Sequence, residues 1–506
     1  MSEWTRRALT GVVAMAAALA TSFFTAAALG AAPAPFPAVG SVVVDFTPPW
    51  LREWVVGQFG TSDKTVLFVC LGATLAALGA LAGFLERPRL PLGSSVFLLC
   101  GALGYAAVWA EAPQPGWRSL FAPLSAVIVG VTALRFPLGL LRVRSSSEPG
   151  GPEGVPLSRR AFAASLMSLS ASGAVLAFAT TKIDRLRSLG SERAATLLPR
   201  PTSPAPSIPN GATAPEAVPF VTSVQDFYRI DTALATPALS REAWRLKVFG
   251  MVANPLELTW ADLAAMPMIE RAVTLTCVSN EVGGDLIGNA VWSGVPMALV
   301  LAEAGPLPDA DMLLSRSVDG WTAGTPLSAV RDGRDAMLAV GMNGEPLPFE
   351  HGYPVRQVVP GLYGYVSATK WVIEWEITRF DRSKAYWSTR GWSERGPIKL
   401  SSRLERPGGS VRAGRVVVAG SAWAQHVGIS KVEVRVDDGP WQEARLADEY
   451  SADTWRQWWF DWAAEPGNHT IACRAYDREG RVQDGRRSGP APDGATGWHE
   501  REIQVV

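Results

Sequence analysis

Residues 274–280 read Thr-Leu-Thr-Cys-Val-Ser-Asn, and residues 351–361 read His-Gly-Tyr-Pro-Val-Arg-Gln-Val-Val-Pro-Gly. The first stretch is a β-prone run that ends near Cys277. Four cysteines in 506 residues are too few for a disulfide framework, so an isolated cysteine here is a candidate for chemistry. A thiolate suits a soft, redox-active metal. The alternative is a buried cysteine that acts as a small hydrophobic residue.

The composition divides the chain into an apolar part and a charged part. Lys+Arg and Asp+Glu both number 47, and this balance argues against a general nucleic-acid binder. Residues 9–181 are mostly apolar, whereas residues 220–506 hold all four histidines and most of the 20 tryptophans. The pattern indicates a membrane region followed by a water-exposed region.

Five apolar stretches in region 1–182 are long enough, or nearly so, to cross a bilayer. They are residues 9–30, 65–85, 93–111, 119–141 and 161–181. Most flanking arginines fall on one side, namely Arg6, Arg7, Arg87, Arg89, Arg142, Arg144, Arg159 and Arg160. Because cationic loops stay cytoplasmic, we expect a five-helix transmembrane bundle with residues after 182 outside the cytoplasm.

Two further features concern export and cofactors. Leu157-Ser-Arg-Arg-Ala-Phe162 resembles a twin-arginine export signal, which carries proteins that are already folded, although an ordinary cationic flank is the alternative. The bundle contains no histidine, so no bis-histidine haem is expected in it. Residues 183–219 are rich in proline and predict an extended tether.

Residues 220–400 resemble the molybdopterin-binding domain of the sulfite oxidase family. Cys277 with Asn280 resembles its Cys-x-x-Asn motif, residues 351–361 resemble its HGFPVRxVVPG run, and Lys370-Trp371 resembles the pair that follows. The resemblance implies an α+β domain that binds molybdenum-molybdopterin, with the Cys277 thiolate as the metal ligand. The region contains neither a GxGxxG nor a GxxxxGK[ST] nucleotide motif.

The resemblance assigns the cofactor contacts to Tyr228, Arg229, Asn280, Asp319, His351, Arg356 and Lys370. The anionic tail of a pterin cofactor needs cations in fixed geometry, which suits Arg356, Lys370 and the His351 imidazole. Arg229 is the expected anion-binding residue beside the metal. Taken singly, each charged residue has the alternative of a surface ion pair.

Three departures from the family pattern affect the expected substrate but not the expected metal. The family's Arg-Asn-His becomes Arg229-Ile-Asp231, and Glu281-Val282 stands where the sulfite oxidases have an arginine. The family's active-site tyrosine aligns with Trp392, which lacks a phenol. These changes argue against assuming sulfite as the substrate.

Residues 401–506 predict an all-β domain. Lys431–Gly439 alternates between polar and apolar residues and ends in a turn signal. This region resembles the immunoglobulin-like sandwich that follows the cofactor domain in the family, where it mediates dimerisation. Arg456 lies where that domain can send an arginine towards the substrate, with a surface salt bridge as the alternative.

The sequence therefore predicts a multi-pass protein of a bacterial cell membrane with an extracytoplasmic molybdenum oxidoreductase domain. It would catalyse two-electron oxygen-atom transfer on a small oxoanion such as sulfite. Cys277 would hold the metal, Arg229 and Arg456 would bind substrate, and Trp392 would line the pocket. The alternatives are a sulfoxide reductase of the same family and a cofactor-free adhesion or sensor protein. With no haem domain in the sequence, we expect a separate redox partner, and the C-terminal domain implies a homodimer.

Overall fold

The computed structural model describes residues 3–29, 34–48, 63–87, 90–111, 117–144, 189–233 and 236–506, together with a few residues between 51 and 59. The chain divides into two compact units, Met1–Ser188 and Leu189–Val506. The predicted fifth span, 161–181, and the twin-arginine motif lie outside the described residues.

The N-terminal unit is helical. Its helices are α1 (Glu3–Ala28), α2 (Pro35–Phe46), α3 (Asp63–Leu85), α4 (Leu92–Glu111) and α5 (Phe121–Arg144). By length and composition, four of the described helices could cross a membrane: α1, α3, α4, and α5 with the turn before it. They coincide with the first four predicted spans. Helix α2 was not predicted, because its 12 residues are too few to span a bilayer.

A buried acid joins three parts of the helical unit. Glu86 follows α3, and its carboxylate lies 3.0 Å from Arg135 Nε on α5. Its other oxygen accepts the Ser94 backbone N–H of α4 at 2.8 Å. Because an unpaired charge in an apolar bundle is costly, these partners offset the burial of Glu86.

The catalytic domain contains the first ten strands and four short helices. The strands are β1 (Arg245–Gly250), β2 (Leu256–Thr259), β3 (Ile269–Thr276), β4 (Ile287–Pro296), β5 (Met312–Ser317), β6 (Thr322–Pro326), β7 (Met337–Met342), β8 (Glu345–Pro346), β9 (Arg356–Val358) and β10 (Val372–Thr378). The helices are α6 (Trp260–Ala265), α7 (Met297–Ala304), α8 (Leu327–Arg331) and α9 (Gly364–Ser367). Together they form the expected α+β domain.

These strands form two sheets. One has the order β2-β1-β10-β5-β6, and the other has the order β3-β4-β7-β8 with β9 paired to β7. A core that includes Leu246, Val295 and Leu338 joins the two sheets. A second core, around Val273 and Trp292, covers the β3–β4–β7 sheet elsewhere. Burial from both sides explains why β7 is buried along its whole length.

The C-terminal domain is a two-sheet β domain. Its strands are β11 (Ser401–Arg406), β12 (Ser410–Val411), β13 (Gly414–Trp423), β14 (Ile429–Val436), β15 (Gln442–Glu443), β16 (Arg445–Leu446), β17 (Arg456–Ala464), β18 (Gly467–Asp477) and β19 (His499–Val505). The sheet orders are β11-β13-β17-β16 and β12-β19-β18-β14-β15. Val418 and Trp458 of the first sheet share one core with Val432 and Cys473 of the second.

Thr274 on β3 connects the two β-containing domains. Its backbone N–H donates to the Asp453 carbonyl at 3.0 Å, and its carbonyl accepts from Gln425 Nε2 at 2.6 Å. Its hydroxyl accepts the Trp455 backbone N–H at 2.8 Å. The C-terminal domain thereby holds the strand that leads into Cys277.

Replacing Thr274 with valine should destabilise the protein, because the buried Trp455 N–H and the Asn289 side chain each lose a hydrogen-bond partner. We expect a loss of about 1–3 kcal/mol in the free energy of unfolding, measured on the full-length protein in detergent. Thr213→Val is the control, since Thr213 is exposed. Equal stability of the two variants would contradict the role given to Thr274.

Candidate active site

A cavity of about 140 Å³ lies in the catalytic domain beside the end of β3. Its wall brings together six of the predicted site residues, namely Tyr228, Cys277, Asp319, Arg356, Lys370 and Trp392. They come from loops and strands that are far apart in the sequence. The remaining predicted residues, Arg229, Asn280, His351 and Arg456, do not line this cavity.

Cys277 directly follows β3 and is buried. Its backbone N–H donates to the Leu286 carbonyl at 2.9 Å, and its carbonyl accepts the Asn280 N–H at 3.1 Å. The Asn280 side-chain oxygen accepts the Leu286 N–H at 2.9 Å. Asn280 therefore closes the turn that presents the thiol, which gives the Cys-x-x-Asn spacing a structural reason.

The Cys277 thiol is buried but has polar neighbours. Burial raises its pKa, while hydrogen bonds from Ser279 and the charge of Lys370 act in the opposite direction. Burial likewise raises the pKa of Tyr228 far above its usual value, and the nearby Cys277 adds to that shift. A buried thiol in such a place becomes a thiolate when a metal cation binds to it.

Arg356 begins β9 and is 4% exposed. Its guanidinium donates to the His351 carbonyl at 3.2 Å and lies 4.9 Å from the centre of the Trp292 ring. Within the described part of the chain, no carboxylate lies at ion-pair distance from it. Burial lowers its pKa to about 10, so the group stays charged at neutral pH. A buried charge without a counter-charge is costly, and an anionic ligand would remove that cost.

Asp231 gathers two cations beside the cavity. One of its oxygens, Oδ2, lies 3.2 Å from Lys370 Nζ and 3.1 Å from Arg229 Nε. Burial lowers the pKa of Lys370 to about 8, and Asp231 opposes that shift. Arg229 is 39% exposed and also donates to Thr236 Oγ1 at 2.9 Å. The sequence analysis recorded Asp231 only as a departure from the family pattern.

His351 lies in the 3-10 turn Phe349–His351. The sequence analysis counted its imidazole among the cations, and the structure differs on this point. Burial, and then the charges of Arg356 and Lys370, lower its pKa to about 3. At this pKa the imidazole is neutral at neutral pH. Its Nδ1 is buried without a hydrogen-bond partner among the described residues. Its ring stands edge-on to Phe227 at 5.6 Å, behind the cavity wall.

Aromatic side chains form one wall of the cavity. Trp392 lies 6.0 Å from Tyr365 and 6.2 Å from Trp387 between ring centres. The Tyr365 hydroxyl donates to the Ser393 carbonyl at 2.7 Å, which fixes that ring. Trp321 adds a buried indole N–H that has no partner in the described part of the chain. The sequence analysis gave no role to Tyr365, Trp387 or Trp321, because single aromatic residues carry no pattern that indicates a cavity wall.

Asp319 lines the cavity, whereas Arg456 does not. Asp319 lies in the turn between β5 and β6, where its carboxylate accepts the backbone N–H of Trp321 at 3.2 Å. Arg456 lies in β17 and donates to the carbonyls of Ala447 and Ile429 at 3.0 and 2.9 Å. Those bonds hold the Arg456 guanidinium within the β domain, so the structure does not place it towards a substrate as the sequence analysis expected.

The ligand set of the cavity is unusual for a metal bound by protein alone. Within the described ranges, no group of three His, Cys, Asp or Glu side chains could hold a metal ion. The cavity instead offers one thiol, one buried guanidinium without a counter-charge, and an orphaned imidazole nitrogen nearby. This donor set fits a soft metal carried by an anionic organic cofactor.

Comparisons with known proteins agree with that chemistry. The family described as oxidoreductase molybdopterin binding domain matches residues 233–387. Mitochondrial sulfite oxidase of Mus musculus is 31% identical over 335 residues, which cover 54% of this chain and 60% of that protein. The oxidoreductase YuiH of Bacillus subtilis (strain 168) is 34% identical over 153 residues, covering 30% of this chain and 74% of that protein.

A solved structure is also similar. The sulfane dehydrogenase SoxCD of Paracoccus pantotrophus is 26% identical, with a TM-score of 0.47, over 53% of this chain and 77% of that one. The chain spans about 60% of the length of the mouse and rat sulfite oxidases that it matches.

Replacing Arg356 with methionine should not destabilise protein made in a host that cannot synthesise molybdopterin, because the change removes a buried, uncompensated charge. The unfolding temperature should equal or exceed that of the unchanged protein. In a host that makes molybdopterin, the same variant should lose the stabilisation that cofactor binding gives the unchanged protein.

Arg271→Met is the control for that experiment. Arg271 pairs with Asp335 at 2.8 Å, so its loss should lower the unfolding temperature. An Arg356→Met variant that unfolds at a lower temperature than the unchanged protein in the cofactor-free host, as Arg271→Met should, would contradict the argument that Arg356 is placed to bind an anion.

Proposed function

The chain belongs to the molybdopterin-binding oxidoreductases of the sulfite oxidase family, and from that premise we propose a membrane-anchored, extracytoplasmic enzyme that transfers oxygen atoms to or from a small substrate. The observation that carries the proposal is that the Cys277 thiol and the Arg356 guanidinium line the same cavity. The Arg356 guanidinium is buried and has no carboxylate at ion-pair distance among the described residues. A thiolate ligand and a buried cation are what a metal on an anionic pterin requires.

Several residues at this cavity would hold the cofactor, each through a different contact. Cys277 would ligate the molybdenum, and Arg356 would neutralise the anionic part of the pterin. Asp319 would accept a hydrogen bond from the pterin ring, and Tyr228 would contact the cofactor near the thiol. His351, being neutral and buried behind the wall, would offer a hydrogen-bonding nitrogen. When bound, the molybdenum centre supplies two-electron oxygen-atom transfer.

The substrate would meet the aromatic wall. Trp392, Trp387 and Tyr365 keep water away from one side of the cavity, and their rings offer contact to apolar groups of a substrate. A small oxoanion such as sulfite remains the first candidate, because the mitochondrial relative is a sulfite oxidase by name. The second candidate is sulfoxide reduction, which the apolar wall and the tryptophan in place of a phenol favour.

The remaining parts of the chain would serve location and assembly. The four apolar helices, with a fifth span at 161–181, would anchor the enzyme in the membrane of a bacterial cell. The flanking arginines favour a catalytic domain outside the cytoplasm. The two-sheet C-terminal domain would be immunoglobulin-like and would support a homodimer. Electrons would pass to or from a separate redox partner.

Replacing Cys277 with serine should abolish oxygen-atom transfer while preserving the fold, because serine is nearly isosteric but a poor ligand for a soft metal. The assay measures sulfite oxidation and sulfoxide reduction on molybdenum-loaded, full-length protein. Cys473→Ser is the control, because Cys473 is buried in the C-terminal core. Activity retained by Cys277→Ser would refute its role, and an inactive unchanged protein in both directions would refute the proposed reaction.

Changing both Arg159 and Arg160 to lysine should leave the catalytic domain on the cytoplasmic side, since the twin-arginine route requires the arginine pair. Protease treatment of intact and opened cells measures the side on which the domain lies. Arg142→Lys with Arg144→Lys is the matched control. Normal external exposure of the Arg159/Arg160 variant would count against this route.

A further inference from the structure

A short segment at the start of the second compact unit packs against the cofactor-binding motif. This segment, residues 189–196, belongs to the stretch that the sequence predicts as an extended tether, but it contacts the catalytic domain. Its Arg193 donates to the carbonyls of Leu347 and Pro346 at 2.8 and 2.7 Å. The segment thereby lies beside residues 348–356, which contain the buried guanidinium and which we call the arginine loop.

Glu192 of this segment is bonded to the arginine loop through one carboxylate oxygen. Its Oε1 accepts from the Tyr353 hydroxyl at 2.8 Å and from the Arg241 backbone N–H at 2.8 Å. The Arg241 guanidinium lies 3.4 Å from the same oxygen. Burial, assisted by Glu192 and opposed by Thr196, raises the pKa of Tyr353 to about 12, so the hydroxyl keeps the proton that it donates to Glu192.

This hydroxyl is an addition to the resembled motif. The HGFPVRxVVPG run has phenylalanine at the position of Tyr353. A phenylalanine ring could fill the same core beside Trp292, but it could not bond to Glu192. The hydroxyl therefore ties the arginine loop to a segment that lies outside the motif.

The arginine loop packs directly on both cations of the cavity wall. Gly352 has a φ of +108°, and a Cβ placed on it would lie 3.0 Å from Arg356 Cβ and 3.2 Å from Lys370 Cα. The next residue, Tyr353, donates its backbone N–H to the Pro348 carbonyl at 3.2 Å and so closes the loop. A displacement of Tyr353 would therefore move the backbone against which Arg356 and Lys370 are packed.

We propose that Glu192 is a positioning residue that acts through Tyr353, fixing the arginine loop so that Arg356 holds the anionic cofactor. This inference rests on the proposed function and extends the cofactor site to a residue outside the cavity. A hydrogen bond to a carboxylate is among the stronger ones in proteins, so its loss should loosen the loop. The cofactor should then leave the protein faster.

The test is a double-variant cycle on full-length, cofactor-loaded protein in detergent. Released pterin is separated by filtration, oxidised and measured by fluorescence, at a temperature well below the unfolding of every variant. Glu192→Ala and Tyr353→Phe should each speed the release of pterin at least about threefold, because each removes the same bond. The double variant should release pterin within about twofold of the faster single variant, since one bond can be lost only once.

Glu345→Ala is the control, because Glu345 contacts Arg193 of the same segment at 3.8 Å and is 74% exposed. Its release of pterin should stay within about twofold of the unchanged protein. An unchanged rate in Glu192→Ala, an equal gain in Glu345→Ala, or rates that multiply in the double variant would each overturn the role of Glu192. If Glu192→Ala does not fold, Glu192→Gln, a weaker acceptor of the same size, takes its place under the same criteria.

The outcomes also separate this inference from the proposed function. Unchanged protein that carries no pterin would refute the proposed function. The same cycle, measured as unfolding temperatures of cofactor-free protein, then decides whether Glu192 acts through Tyr353. Losses that add in the double variant would overturn that coupling, and a loss no larger than that of one single variant would support it.

Discussion

A buried positive charge without a carboxylate counter-charge among the described residues is the constraint on which the catalytic domain depends. Arg356 is held by backbone carbonyls and by the face of Trp292, which stabilise the guanidinium without neutralising it. The strand that carries it pairs with β7 in the middle of the doubly covered sheet. The protein therefore buries an uncompensated positive charge, and an anionic cofactor would offset the cost of that burial.

The position of the Cys277 thiol depends on a different part of the chain. β3 leads into Cys277, and Thr274 on that strand is bonded to the C-terminal domain through both its backbone and its hydroxyl. The β domain is thus part of the machinery that positions the thiol, even though none of its residues lines the cavity. The two domains belong to one compact unit.

The sequence motifs predicted which residues lie at one cavity better than they predicted the direction of each side chain. Cys277, Arg356 and Lys370 meet in one cavity as expected, since each belongs to a motif whose residue type the chemistry requires. Motifs do not specify side-chain direction, so Asn280 turned out to brace the turn and Arg456 to bond within the β domain.

What lay outside the motifs could not be predicted. Tyr365 and Trp387 reach the cavity wall through tertiary packing, and single aromatic residues carry no periodic signal of such a role. Helix α2 is too short to be recognised in the sequence as a membrane span. Asp231 was noted in the sequence only as a departure from the Arg-Asn-His pattern of the family.

The amounts of molybdenum and of oxidised pterin per chain test the central claim most directly. Both should be measured on full-length protein purified from a host that makes molybdopterin, by elemental mass spectrometry and by pterin fluorescence. The account predicts equimolar molybdenum, pterin and protein. A folded protein that contains neither molybdenum nor pterin would contradict it.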